Sequence, residues 1–143
     1  MAARLFKRAC DRLGECHRCL ALEMKALHVH SGNLFGGIET FQKNLVLGQD
    51  SFSGMHHEFA LCFEARLSQE LRDLGAAVHV LGPTRASRPL SVWRARRALR
   101  VLISRSAPDV LIVHGSWAHS LFGGLAQDCG LPLISFIHAP PEG

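Results

Sequence analysis

Met24-Lys25-Ala26-Leu27-His28-Val29-His30-Ser31-Gly32-Asn33-Leu34-Phe35-Gly36-Gly37-Ile38-Glu39-Thr40 is the stretch on which the fold turns. Ala26–His30 is a short apolar run closed by a turn, which is how a strand buried on both faces reads. Ser31 to Gly37 is glycine-rich and joins it to a segment of different period. From Ile38 to about Leu47, the apolar residues Ile38, Phe41 and Leu45 recur at helical spacing. A strand, a glycine-rich turn and a helix in that order form the opening unit of a parallel sheet.

The same alternation continues downstream. His57–Phe63 predicts a second strand, and Arg66 to Leu74 a helix stopped by Gly75. Ala77–Leu81 predicts a third strand, ended by Gly82-Pro83. Leu90 to about Ser104 is a long helix with Val92, Leu99, Leu102 and Ile103 inward and its arginines outward. Pro108 introduces the strand Val110–His114, Trp117 to Cys129 is a fourth helix stopped by Gly130, and Leu133–His138 is a fifth strand. Five strands alternating with helices give an α/β, doubly wound parallel sheet of Rossmann-like type, with expected order 3-2-1-4-5. The sheet accounts for residues 24–143, and the chain closes in a loop, Ala139 to Gly143, where such domains usually continue.

Residues 1–23 differ from this pattern. Leu5, Ala9, Leu13 and Leu20 form a loose helical stripe among Arg4, Lys7, Arg8, Arg12 and Arg18. Two readings stand: a basic amphipathic helix lying on a membrane or on the body, or an extension upstream of a start at Met24. There is no apolar core of a secretory signal and no run near the roughly 18–20 residues that span a bilayer. The expected location is the cytoplasm, with peripheral contact at the inner face of the plasma membrane as a second expectation. The five cysteines, Cys10, Cys16, Cys19, Cys62 and Cys129, are odd in number and follow no export signal, which argues against a disulfide framework. Cys16-His17-Arg18-Cys19 resembles part of a zinc site, but a closed site wants a second pair, and the plainer reading is free thiols on a helix. Between Asp73 and Asp109 there is no acidic residue, whereas Arg85, Arg88, Arg94, Arg96, Arg97, Arg100 and Arg105 all fall there. That stripe suits phosphates or an anionic membrane surface, or equally the solvated side of one helix. With Trp93 as its sole interleaved aromatic, it does not predict nucleic-acid binding.

In open parallel sheets, ligands bind beyond the carboxyl ends of the strands where strand order reverses, here between strands 1 and 4. The loops converging there are Ser31–Gly37, His114–Trp117 and His138–Gly143. Gly36 and Gly37 at a helix start let backbone N–H groups approach a phosphate, aided by the helix dipole. The spacing is neither G-x-G-x-x-G nor a Walker A loop. His30, His114 and His138 end neighbouring strands; no carboxylate or cysteine joins them in those loops, so no metal is expected. His138 is the candidate for contact with a substrate hydroxyl or developing charge, with His114, Trp117 and His119 near the same cleft.

These residues resemble a family. The stretch from Met24 to Thr40 looks like the opening of the retaining glycosyltransferases of family 4, which have the GT-B fold. Phe63-Glu64-Ala65-Arg66-Leu67-Ser68-Gln69-Glu70-Leu71, Leu81-Gly82, Arg88-Pro89, Pro108-Asp109-Val110 and His138-Ala139-Pro140 resemble it in the same order. The resemblance implies an N-terminal, acceptor-side domain. Gly36 and Gly37 would face the diphosphate of a nucleotide-sugar donor, and His138, the catalytic candidate, would contact the transferred sugar. It implies no cofactor, because protein groups and helix dipoles neutralise the donor phosphates. The implied partners are the donor, a sugar or lipid-linked acceptor, and a C-terminal donor domain that lies outside these residues, without which the chain is expected to be inactive. Two other readings remain open: half of a dehydrogenase, with Glu64 at the end of strand 2 on a cofactor ribose, and a non-catalytic interaction stub.

Overall fold

The computed structural model of the chain describes residues 23–34, 36–51 and 54–137. Residues 1–22 of the extension, its cysteines and His138 lie outside the described residues. Five strands and four helices alternate: β1 (Met24–His30), α1 (Gly37–Leu47), β2 (Met55–Leu61), α2 (Arg66–Asp73), β3 (Ala77–Val80), α3 (Pro89–Ser106), β4 (Val110–His114), α4 (Ser116–Asp128) and β5 (Leu133–Phe136). The sheet order is β3-β2-β1-β4-β5, all parallel, as the alternation predicted.

Because side chains alternate across a strand, each inner strand feeds two layers. Leu27, Val29, Ala60, Cys62, Leu111 and Val113 meet Ala95, Leu99 and Ile103 of α3 and Ala118, Phe122, Leu125 and Ala126 of α4. On the opposite face, Phe59 and Leu61 meet Leu67 and Leu71 of α2 and Val46 of α1. Each fully buried Leu or Phe contributes about 1.5–3 kcal/mol relative to exposure. The long helix begins with Pro89 at its first turn, a position where a missing N–H costs nothing. It ends at Ala107 in the left-handed region, φ 46°.

Several boundaries and faces differ from expectation. β2 stops at Leu61 rather than Phe63 because its ladder partner β1 stops at His30. There Gly32 turns the backbone with φ 78°, and the chains continue side by side only as loop, Phe63 N–H donating to Ser31 O at 3.0 Å. β5 likewise ends at Phe136, opposite the last residue of β4. On α3, Ala95, Leu99 and Ile103 are the buried residues, while Val92 and Leu102 are half-buried. On α1 the deviation is chemical. Ile38, Phe41 and Leu45 are half-buried, and the residues that turn fully inward are Glu39 and Gln42. For Glu39 the reason lies beneath the helix, where His30 at the end of β1 meets its carboxylate.

Candidate functional site

On the α1 face of the sheet, Phe59, His28, His114 and Phe136 stand on four adjacent strands and stack in sequence. Ring centroids are 5.0, 5.2 and 5.5 Å apart, with interplanar angles of 21°, 20° and 7°. Phe41 of α1 closes over His114 and Phe136 at 6.1 and 5.5 Å. His28 is hydrogen-bonded by imidazole on both sides: its Nδ1 is 2.9 Å from His114 Nε2, and its Nε2 is 2.8 Å from His57 Nδ1. A neutral imidazole has one N–H and one lone pair, so His28 must donate to one neighbour and accept from the other. Burial, and then the neighbouring His114 and His57, push the His28 pKa down to about 2. Burial and then His56 also lower that of His57. These rings form a polar core whose nitrogens face one another rather than a common centre. Among the described residues, no group of three or more His, Cys, Asp or Glu is placed to hold a metal ion.

His30 belongs to a second pair. Its Nε2 donates to Glu39 Oε1 at 2.7 Å, with both side chains buried. Glu39 Oε2 in turn accepts the Gly36 amide at 2.7 Å. Burial acts to raise the Glu39 pKa, but the bonds from His30 and from the backbone of Glu39 and Gly36 outweigh it and hold the carboxyl below its usual range. The carboxylate therefore ties the end of β1 to the start of α1 and sits at the positive end of the helix dipole.

The concave surface lies directly above, at the carboxyl ends of the strands. A cleft of about 750 Å3 is lined by Ser31, Asn33 and Leu34 after β1, Phe63 after β2, Thr84 to Ser87 after β3, and Trp117 at the start of α4. Its size falls in the roughly 300–1,000 Å3 range of small-molecule sites. The walls are braced. Thr84 is buried and its hydroxyl donates to Gly82 O at 2.8 Å. Ser91 Oγ accepts the Arg85 amide at 3.1 Å and donates to Arg88 O at 2.7 Å. Beneath Thr84, burial pushes the Cys62 thiol up to about 11, against an opposing hydrogen bond from Thr84, so it is not a nucleophile at neutral pH.

The residues singled out in the sequence are dispersed by this geometry. Trp117 lines the cleft. His114 is buried in the sheet, its ring between His28 and Phe136. Gly36 and Gly37 begin α1 and are exposed; the Gly36 amide is taken by Glu39, and a Cβ at Gly37 would meet nothing within 4 Å. His119 Nδ1 lies 2.7 Å from Ser135 Oγ and braces α4 on β5. Glu64 is held by Arg72 and Ser68 and therefore does not point freely at a cofactor ribose. Asn33, Phe63, Thr84 and Arg85 were not singled out in the sequence as lining residues. The signal for them was positional: each lies within a few residues of a strand end on the ligand-binding side.

The comparisons with known proteins agree with this geometry. A model of the glycosyl transferase 4-like domain matches residues 36–143. No curated protein matches the chain by sequence. Among solved structures, MurG of Acinetobacter baumannii aligns with a TM-score of 0.60 at 14% identity, over 78% of this chain and 33% of that one. A glycosyltransferase from Rickettsia africae aligns with a TM-score of 0.64 at 14% identity, over 83% and 32%. A putative UDP-N-acetylglucosamine 2-epimerase from Listeria monocytogenes aligns at 0.58 and 13%, over 79% and 31%. The chain thus spans about a third of the length of the structures it matches, and its Rossmann-like sheet is that of the N-terminal half of the GT-B fold. By the extent of the family match, which covers most of the sheet and the cleft, this chain belongs to the glycosyl transferase 4-like domain family.

Proposed function

We propose that the chain forms the acceptor side of a glycosyltransferase that moves a sugar from a nucleotide-sugar donor with retention of configuration. The observation that carries this reading is the cleft at the carboxyl ends of β1 to β3. It offers two aromatic walls, Phe63 and Trp117, with Ser31, Asn33, Thr84 and Ser87 as hydrogen-bonding groups. Flat apolar walls joined by a few polar groups suit a sugar ring, which has apolar faces and a hydroxylated rim. The donor comes from the other direction. Gly37, open at the start of α1, is the position where a diphosphate could approach the backbone closely. His138 is the group proposed to contact the transferred sugar, and most donor contacts come from a further domain. Phosphate charge is met by protein groups rather than a resident metal or cofactor.

No helix among the described residues is long and apolar enough to cross a membrane. A peripheral contact on the cytoplasmic side of a membrane is proposed through the exposed Arg94, Arg97 and Arg100 of α3, beside the exposed Trp93. Unchanged binding to anionic vesicles after charge reversal of the three would refute that contact.

The functional reading is tested by assaying transfer to a panel of sugar acceptors with the chain joined to its donor domain, alongside His138→Ala. Turnover lowered by orders of magnitude with the fold intact is expected. Unchanged turnover removes His138 from the mechanism. NAD(P) binding that vanishes in Glu64→Ala, with no sugar transfer, would replace the transferase reading with a dehydrogenase one.

A further inference from the structure

The cleft carries a charge asymmetry that its sugar-binding role does not require. Of its lining residues, Arg85 is the one ionisable side chain, and no carboxylate is among the described residues that line it. Several other arginines pair with carboxylates, Arg72 with Glu64, Arg66 with Glu70, and Arg96 and Arg100 with Asp128, and Arg88, Arg94, Arg97 and Arg105 do not line the cleft. Among the described residues Arg85 pairs with no carboxylate, and its side chain is exposed. Its backbone, by contrast, is fixed by Ser91, and the loop is anchored by the buried Thr84. A cation on a braced loop, beside an aromatic wall and without a counter-charge, is the arrangement that recognises an oxyanion. The guanidinium fork matches carboxylate or phosphate in bidentate fashion.

Resting on the acceptor reading above, we infer that the acceptor of this domain is anionic: a sugar bearing a carboxylate or phosphate that pairs with Arg85 while its ring lies against Trp117 and Phe63. Removing a charge-assisted hydrogen bond of this kind weakens binding by about tenfold to a hundredfold.

The test is an amide-resolved NMR titration of the chain with glucuronate, glucose 6-phosphate and glucose, repeated in Arg85→Ala and Arg85→Lys. At least one anionic sugar is expected to shift the amides of Ser31, Asn33 and Thr84 to Ser87 and to bind at least about tenfold more tightly than glucose. Arg85→Ala should abolish that preference, and Arg85→Lys should restore part of it. The stronger of the two anionic ligands tells carboxylate from phosphate. Glucose binding in the cleft as tightly as both anionic sugars, or a preference that survives Arg85→Ala, overturns the anionic inference and leaves the acceptor reading standing. Shifts that map instead to Arg94 and Arg97 overturn it as well. If none of the three sugars perturbs the cleft, the acceptor reading falls, and this inference with it.

Discussion

Acidification should unfold this domain through its histidine core, and the size of the effect follows from His28. That ring is 1% exposed, hydrogen-bonded by His57 and His114, and depressed to a pKa of about 2. In the unfolded chain the same side chain titrates near 6.5. Above that pH neither state carries the proton, and the neutral core contributes fully. Below it the unfolded chain takes up a proton that the folded chain refuses, so stability is lost as pH falls from about 6.5 towards 2. The loss is about 1.4 kcal/mol per pH unit, or about 2 kcal/mol at roughly pH 5. That is a substantial part of the roughly 5–15 kcal/mol that holds a domain together. The lowered His57 and Glu39 values add in the same direction. Urea unfolding at about pH 7, 6 and 5 measures this directly. The control is His28→Phe, which keeps an aromatic ring between Phe59 and His114. It should cost about 1–3 kcal/mol at neutral pH, where the hydrogen bonds to His57 and His114 are lost. It should also flatten the acid dependence by close to one proton. If the wild-type midpoint does not move between about pH 7 and 5, or if the variant's pH profile parallels it, His28 is not held neutral and the reasoning fails.

Gly32→Ala should destabilise the fold by about 1–3 kcal/mol. Its φ is 78°, and a Cβ would lie 3.3 Å from both Leu61 Cβ and Phe63 O; an unchanged melting temperature would contradict this. Gly37→Ala should leave stability within about 0.5 kcal/mol, since its Cβ meets nothing within 4 Å. Nucleotide-sugar binding by the chain supplied with the proposed donor domain should nevertheless fall if a phosphate approaches that amide, and full binding in the variant would move the donor elsewhere. Gln42 is fully buried with neither amide atom hydrogen-bonded among the described residues, so Gln42→Leu should stabilise by about 1–2 kcal/mol. A loss of stability in calorimetry would mean that the amide has a structural partner in solution.

The sequence by itself determined the layered architecture. Apolar runs as short as Val110–His114, alternating with helical periods and punctuated by Gly75, Gly82 and Gly130, admit little besides a parallel sheet with helices on both faces. The strand order followed, because crossovers of one hand leave few alternatives. Trp117 lies just past the end of β4 on the ligand side, and the fold sets it on the cleft wall.

What the tertiary structure decided is which way the polar residues face. His28 and His57 lie 29 residues apart in sequence, and only the β1–β2 and β1–β4 registers bring them and His114 into one hydrogen-bonded row. The same registers turn His114 inward, away from the ligand side. Glu39 breaks the apolar period of α1 because it pairs with His30 at the end of β1, and a periodicity count treats such a buried carboxylate as a surface residue. Arg85 became distinct from the other arginines once the fold placed it on the cleft wall, while Glu64, Glu70 and Asp128 engage Arg72, Arg66, Arg96 and Arg100 elsewhere. Charge pairing is a property of distances across the fold, and a linear sequence holds the charges without the distances.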